Sequence, residues 1–163
     1  MLYLIDANVL ITANAHYYPI DRIVPFWDWL YQQAMDGHVK MPFEIYNEVA
    51  IAQGALTDWI TDADVKKALV LDEEVDNDLF NTVLDEGYAP DLTDHEMDEI
   101  GNDPFLAAYA LENKAARTVV TKEVSRPRAN RAKRKVPNIC DAMGVFCIDD
   151  FQLYRLLDFQ IQR

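Results

Sequence analysis

Short apolar runs, each closed by an acid or a turn residue, alternate along this chain with segments spaced for helix. That alternation constrains the fold more than any other feature of the sequence. Residues 2–5 (LYLI) form such a run, and residues 8–17 behind it carry helical spacing. Residues 25–36 set Phe26, Trp29, Leu30 and Gln33 at i, i+3, i+4 and i+7, three of the four apolar, with Gly37 as a helix stop. Residues 39–41 read as a short strand, and Pro42 opens a helix over 43–52 that carries Glu44 and Glu48 on one face. Residues 68–71 are a second apolar stretch, followed by an amphipathic helix over 73–86 with Val75, Leu79 and Val83 in its stripe. Thr93 and Glu96 spell a capping box for a helix at 94–100. Asn102 is expected to cap the next helix, 103–114, which has Pro104 in its first turn. Residues 118–121 and 145–148 read as strands, and Asp149 starts a last helix to about residue 159.

Strands separated by helices pair in parallel, and the helices then cover both faces of the sheet. The expected fold is therefore α/β: one domain over residues 1–163, with a central parallel β-sheet flanked by helices on both faces and neither repeat nor linker. A chain of this length buries roughly 70% of the surface its unfolded form exposes, enough for a core without staples. Cys140 and Cys147 match neither a zinc spacing nor a redox CxxC and read as core thiols. The opening MLYLIDANVL lacks the basic n-region and small-residue cleavage site of a signal peptide, and the apolar run 105–111 is far too short to span a bilayer. The expectation is a cytoplasmic protein with no membrane partner.

The net charge of −13 hides a strong polarity. Between residues 58 and 103 there are 16 acids against Lys66 and Lys67, whereas Lys122, Arg126, Arg128, Arg131, Lys133, Arg134 and Lys135 crowd one window with Glu123 as its only acid. Such a run either pairs with the acidic half or holds phosphates, because clustered Lys and Arg neutralise a nucleic-acid backbone.

In parallel sheets, sites form beyond the carboxyl ends of the strands. Asp6 ends the first run in LIDANVLI, Glu123 follows TVVT in TVVTKE, Asp103 opens the helix of GNDPFLAAYAL, and Glu48 lies on the helix after MP. Singly, each has an ordinary reading as a cap, a first-turn acid, a surface residue or a loop acid. Together, convergent carboxylates repel one another unless a cation joins them. Oxygen ligands suit Mg²⁺ or Mn²⁺, and the three histidines offer no zinc pattern. The chemistry such a site favours is phosphodiester hydrolysis.

Taken in order, LIDANVLI, the PxxxxNEV segment carrying Glu48, GNDPFLAAYAL and TVVTKE resemble a PIN domain, and most of all the PIN-like group in which TxE precedes a basic loop and a helix such as PNICD at Pro137 to Asp141. The resemblance covers nearly the whole chain. It implies a metal-dependent endoribonuclease cleaving single-stranded RNA, of the kind found as the toxin in bacterial and archaeal toxin–antitoxin pairs. It implies that Asp6, Glu48, Asp103 and Glu123 are the catalytic, Mg²⁺- or Mn²⁺-binding acids and that Asp141 is a candidate fifth ligand. Asn8 then orients Asp6, with Thr121 in support. Glu123 stands where many PIN domains carry Asp. The implied partners are an RNA substrate, a cognate antitoxin with a DNA-binding domain and, in some assemblies, a second copy as a homodimer. Because the basic window follows directly on the strand that delivers Glu123, all seven of its Lys and Arg residues are expected to bind RNA.

A haloacid-dehalogenase-type phosphatase would need a second Asp where this chain has Asn8, and a receiver domain would need acids upstream of Asp6. The alternative from another class is a non-catalytic PIN-like module that binds RNA or protein. Metal-dependent cleavage of single-stranded RNA separates it from the enzyme.

Overall fold

All four residues of LYLI are apolar because the strand they form, β1 (Leu2–Ile5), has neighbours on both sides and helices above and below. The computed structural model describes residues 1–161. Within them β1, β2 (Val39–Lys40), β3 (Arg117–Val120) and β4 (Phe146–Ile148) make an all-parallel sheet in the order β2-β1-β3-β4. Ten α-helices surround it: α1 (Ala7–Thr12), α2 (Val24–Met35), α3 (Phe43–Ala50), α4 (Ala55–Thr61), α5 (Ala63–Leu69), α6 (Asn77–Thr82), α7 (Asp94–Ile100), α8 (Asp103–Leu111), α9 (Val136–Met143) and α10 (Asp150–Leu156). The α/β architecture with a central parallel sheet is as the alternation predicts.

The chain leaves β1 toward β2 on one side, then crosses back over β1 to reach β3 and β4 on the other. With right-handed crossovers, that reversal sends the helices before and after β2 to opposite faces. It also opens a crevice between β1 and β3 at the carboxyl edge, where in sheets of this kind no helix closes the gap. In this register Ile5 lies beside Val120, so the next residues along each strand, Asp6 and Thr121, emerge side by side.

α8 packs on β3 and β1 and also on α9. It is buried nearly all round, with Leu106, Ala107, Ala108, Tyr109 and Ala110 inside, as a helix apolar on every side must be. Its outer face belongs to a second core of Val83, Tyr88, Ile100, Ala107, Ala108 and Ile139. Gly87 permits the close approach of α9 there, since a Cβ at that position would meet Ile139 Cγ2 at 3.0 Å.

Several boundaries differ from the sequence reading. The apolar stretch at 68–71 closes α5 with Ala68 and Leu69, and Val70 then pairs in a single parallel bridge with Met41. α4 and α5, which the sequence pattern did not suggest, present Leu56, Ile60, Val65 and Leu69 to the core, and Asp62 caps α5 by accepting from the N–H groups of Asp64 and Val65. The helix expected over 73–86 starts at Asn77, because Asp76 accepts from the N–H groups of Asp78 and Leu79, and then widens into a π-helical turn over Val83–Tyr88. α1 widens in the same way over Ala13–Tyr17. The capping box of Thr93 and Glu96 is present. Asn102, by contrast, makes no side-chain cap; its amide donates to the Glu44 carbonyl at 3.3 Å and so ties α8 to α3. Cys140 is buried, Cys147 half-buried, and both are free thiols. Among the described residues, no helix is long and apolar enough to cross a membrane.

Candidate functional site

Asp6 follows β1 directly and is 4% exposed. Its backbone starts α1, yet its carboxylate does not cap that helix. Instead Oδ2 accepts from Asn8 Nδ2 and from Thr121 Oγ, both at 2.7 Å. Asn8 Oδ1 in turn accepts from the Lys122 N–H at 3.0 Å, and Thr121 Oγ accepts from the Glu123 N–H at 3.1 Å. This network welds the turn after β1 to the turn after β3, with Asn8 and Thr121 both holding Oδ2 of Asp6.

Glu123 is held at its other end. Its Oε2 accepts from the Val136 N–H at 2.8 Å, and its Oε1 lies 3.4 Å from Lys135 Nζ. The carboxylate therefore also serves the start of α9. Asp103 sits half-buried at the first position of α8, and Glu48 is exposed on α3.

The electrostatics bind these acids into one group. Burial pushes the Asp6 carboxyl up to about 6, the Thr121 hydrogen bond opposing and the charges of Glu123 and Glu48 adding to the rise. Burial likewise pushes Asp103 up to about 7, reinforced by Asp6, Glu123 and Glu48 and opposed by Lys135. Four carboxylates from four separate segments thus feel one another at the carboxyl edge of β1 and β3. Among the described residues, no three His, Cys, Asp or Glu side chains stand close enough to grip a single ion as they are placed. Asp141 is not drawn into the group: it is exposed on α9 and is absent from the main charges acting on Asp6 and Asp103.

Most of the basic window is spent inside the protein. Arg131 Nε lies 2.7 Å from Glu96 Oε1 and its Nη1 lies 2.6 Å from Asp91, while Lys133 pairs with Glu99. The Arg131 guanidinium, with the Thr93 N–H, holds the Glu96 carboxyl down at about 2. Arg134 donates to the carbonyls of Gly87 and Asn138, and Lys135 faces Glu123. Lys122 Nζ donates to Asp150 Oδ1 at 3.0 Å. Only Arg126 and Arg128 are exposed with no side-chain partner among the described residues.

Asp150, 0% exposed, escapes a reading of the sequence. The signal that could have found it is the tandem acid in FCIDDF after β4: Asp149 is the capping residue, accepting from Gln152 N–H, which turns the second acid inward. The Cys140 thiol is pushed well up by its hydrogen bond to Cys147 and by burial, the opposite of an activated nucleophile.

Over residues 3–161 the chain matches the family described as Domain of unknown function (DUF4411), and it belongs to that family. No curated protein and no solved structure matches it.

Proposed function

We propose that this member of the DUF4411 family is a metal-dependent endoribonuclease of PIN-like type that cleaves single-stranded RNA, with Asp6, Glu48, Asp103 and Glu123 as its metal-binding acids, and that it acts as the toxin of a toxin–antitoxin pair. The observation that carries this reading is geometric: the register of β1 and β3 brings Asp6 and the Thr121–Glu123 turn out side by side and ties them through Thr121 Oγ, where burial, reinforced by the neighbouring acids, lifts Asp6 to about 6 and Asp103 to about 7. A fold that gathers like charges at its switch point is destabilised there, and a divalent cation offsets that cost. The donors are oxygens alone, which fits Mg²⁺ or Mn²⁺.

A bound Mg²⁺ would supply Lewis acidity, making water a better nucleophile at neutral pH and neutralising the scissile phosphate. The protein's own residues do the positioning. Asn8 and Thr121 hold Oδ2 of Asp6, and the Val136 N–H holds Oε2 of Glu123. Water adds to phosphorus and the bond to the 3′-oxygen breaks, leaving a 5′-phosphate and a 3′-hydroxyl.

The test is incubation of single-stranded RNA with the protein in Mg²⁺ or Mn²⁺ and in EDTA. EDTA should abolish cleavage, and Asp6→Asn or Asp103→Asn should do so while the fold is kept. Cleavage by the double variant in EDTA would sink the nuclease reading, and RNA binding without cleavage in any metal would favour the non-catalytic module. For the toxin role, expression alone should slow growth and Asp6→Asn should relieve it. An antitoxin has an evident foothold, since the acidic cluster would attract an inserted Arg or Lys.

A further inference from the structure

We propose that Tyr17, Phe151 and Lys122 form a nucleobase subsite beside the carboxylate cluster, taking one unpaired base of the RNA strand. The proposal rests on the nuclease reading and names how its substrate is gripped. Tyr17 and Phe151 are 40% and 38% exposed, large aromatic rings left facing solvent. They come from distant parts of the chain, Tyr17 from the end of the π-helical turn behind α1 and Phe151 from α10. Their rings nevertheless meet at 5.2 Å, tilted by 59°. Lys122 Nζ sits 5.2 Å from the Tyr17 ring centre and 5.0 Å from that of Phe151.

Lys122 is the residue between Thr121, which holds Asp6, and Glu123. The shelf is therefore fixed to the loop that carries the chemistry. Asp150 anchors the ammonium from beneath, and its Oδ2 has no hydrogen-bond partner. A buried ion pair of this sort contributes little to stability against an apolar replacement of the same shape, so a role in setting the shelf accounts better for its presence.

A cleft of about 390 Å³ opens on the Phe151 and Lys122 side of the shelf, walled also by Glu123, Ser125, Pro137 and Ile148. That volume lies within the range of small-molecule sites. Farther along the same loop come Arg126 and Arg128, the two uncommitted cations of the basic window and thus the available phosphate contacts. Aromatic rings flanked by cations suit a strand whose bases are unstacked, because every base has a π face while its backbone is anionic. A duplex would hide those faces.

The experiment measures anisotropy of a labelled eight-nucleotide single-stranded RNA bound to the cleavage-deficient Asp6→Asn protein in Mg²⁺, with an abasic site moved through each position in turn. Adding Phe151→Ala or Tyr17→Ala should weaken binding roughly five- to hundredfold, and Phe151→Trp should retain it. One abasic position should weaken binding to the parent strongly and to the Phe151→Ala protein little. Melting curves identify a variant that has lost its fold, and the abasic scan on the parent tests the subsite independently of any variant. Indifference of the parent to every abasic position, or parental affinity in both folded alanine variants, overturns the subsite. If the wild type still cleaves RNA in that case, the nuclease reading stands without it. Abasic sensitivity in a protein that cleaves RNA with no metal supports the subsite and sinks the metal-dependent mechanism.

Discussion

Replacing Asp6 by Asn should make the metal-free protein more stable, although it removes a residue at the centre of the site. Burial and neighbouring acids carry the Asp6 carboxyl from its ordinary 3.8 to about 6. The folded protein therefore holds this proton more tightly than the unfolded chain does. The stability linked to it is fully present below pH 3.8 and is lost as the pH rises through about 6. At about 1.4 kcal/mol per pH unit, the ionised carboxylate costs the folded state roughly 3 kcal/mol at pH 8. Asn cannot ionise. Its single carbonyl oxygen can take the place of Oδ2, where both the Asn8 and the Thr121 hydrogen bonds converge, so the network survives the change. Its amide then faces the neighbouring carboxylates as a donor. At roughly 2–4 °C per kcal/mol for a chain of this size, the melting midpoint in EDTA at pH 8 should rise by roughly 6–12 °C over the parent. Near pH 4 the two proteins should melt within a degree or two of each other. Saturating Mg²⁺ should raise the parent's midpoint and leave the variant's almost where it was. Equal midpoints in EDTA at pH 8, or the same difference at pH 4 and pH 8, would refute the claim that repulsion and burial strain this site.

Asp103→Asn should behave alike over a wider window, its advantage growing from pH 3.8 up through about 7, as thermal melts across that range in EDTA would reveal. Thr121→Val removes the hydroxyl that donates to Asp6 and accepts from the Glu123 N–H, and should destabilise by roughly 1–3 kcal/mol in urea unfolding, because that N–H loses its partner. Arg131→Ala should lower the melting midpoint at pH 7 and let the Glu96 carboxyl return from about 2 toward 4.5 in an NMR titration, the stability difference fading as the pH falls between those values. Arg126→Ala and Arg128→Ala should each flatten the log-log salt dependence of RNA binding by roughly 0.7 per lost phosphate contact, while Lys133→Ala, whose side chain already answers Glu99, should leave the slope as it is.

The parts of the fold legible in the sequence are those whose signal is local. LYLI, TVVT and the Thr93 capping box announce themselves because a doubly covered strand must be apolar and a helix start must satisfy its own N–H groups. The segment 54–71 resisted, since two seven-residue helices in succession leave too few turns for a periodicity to stand out. Ala68 and Leu69 are apolar for burial at a helix end, and an apolar run of four cannot by itself distinguish that from a strand. Asn102 looked like a cap from its type and place, yet its amide reaches Glu44, 58 residues away in sequence. No local rule contains that contact.

The acids of the candidate site were legible for a related reason. Asp6 and Glu123 lie just past strands, and the parallel register of β1 and β3, with Ile5 beside Val120, brings the two strand ends out together. The basic window was less legible, because whether a cation is spent depends on which acid the fold sets opposite it. Arg131 meets Glu96 and Asp91, and Lys133 meets Glu99, all from the acidic half of the chain. Those pairs fasten the loop after β3 onto α7 and the turn before it. The charge that seemed destined for a polyanion thus holds the loop in shape, and its free remainder, Arg126 and Arg128, stands on a surface whose net charge is −13. The long-range field of such a chain repels a polyanion. On the proposed reading, recognition of a strand leans on short-range contacts, the use the proposed subsite gives to the exposed rings beside the carboxylates.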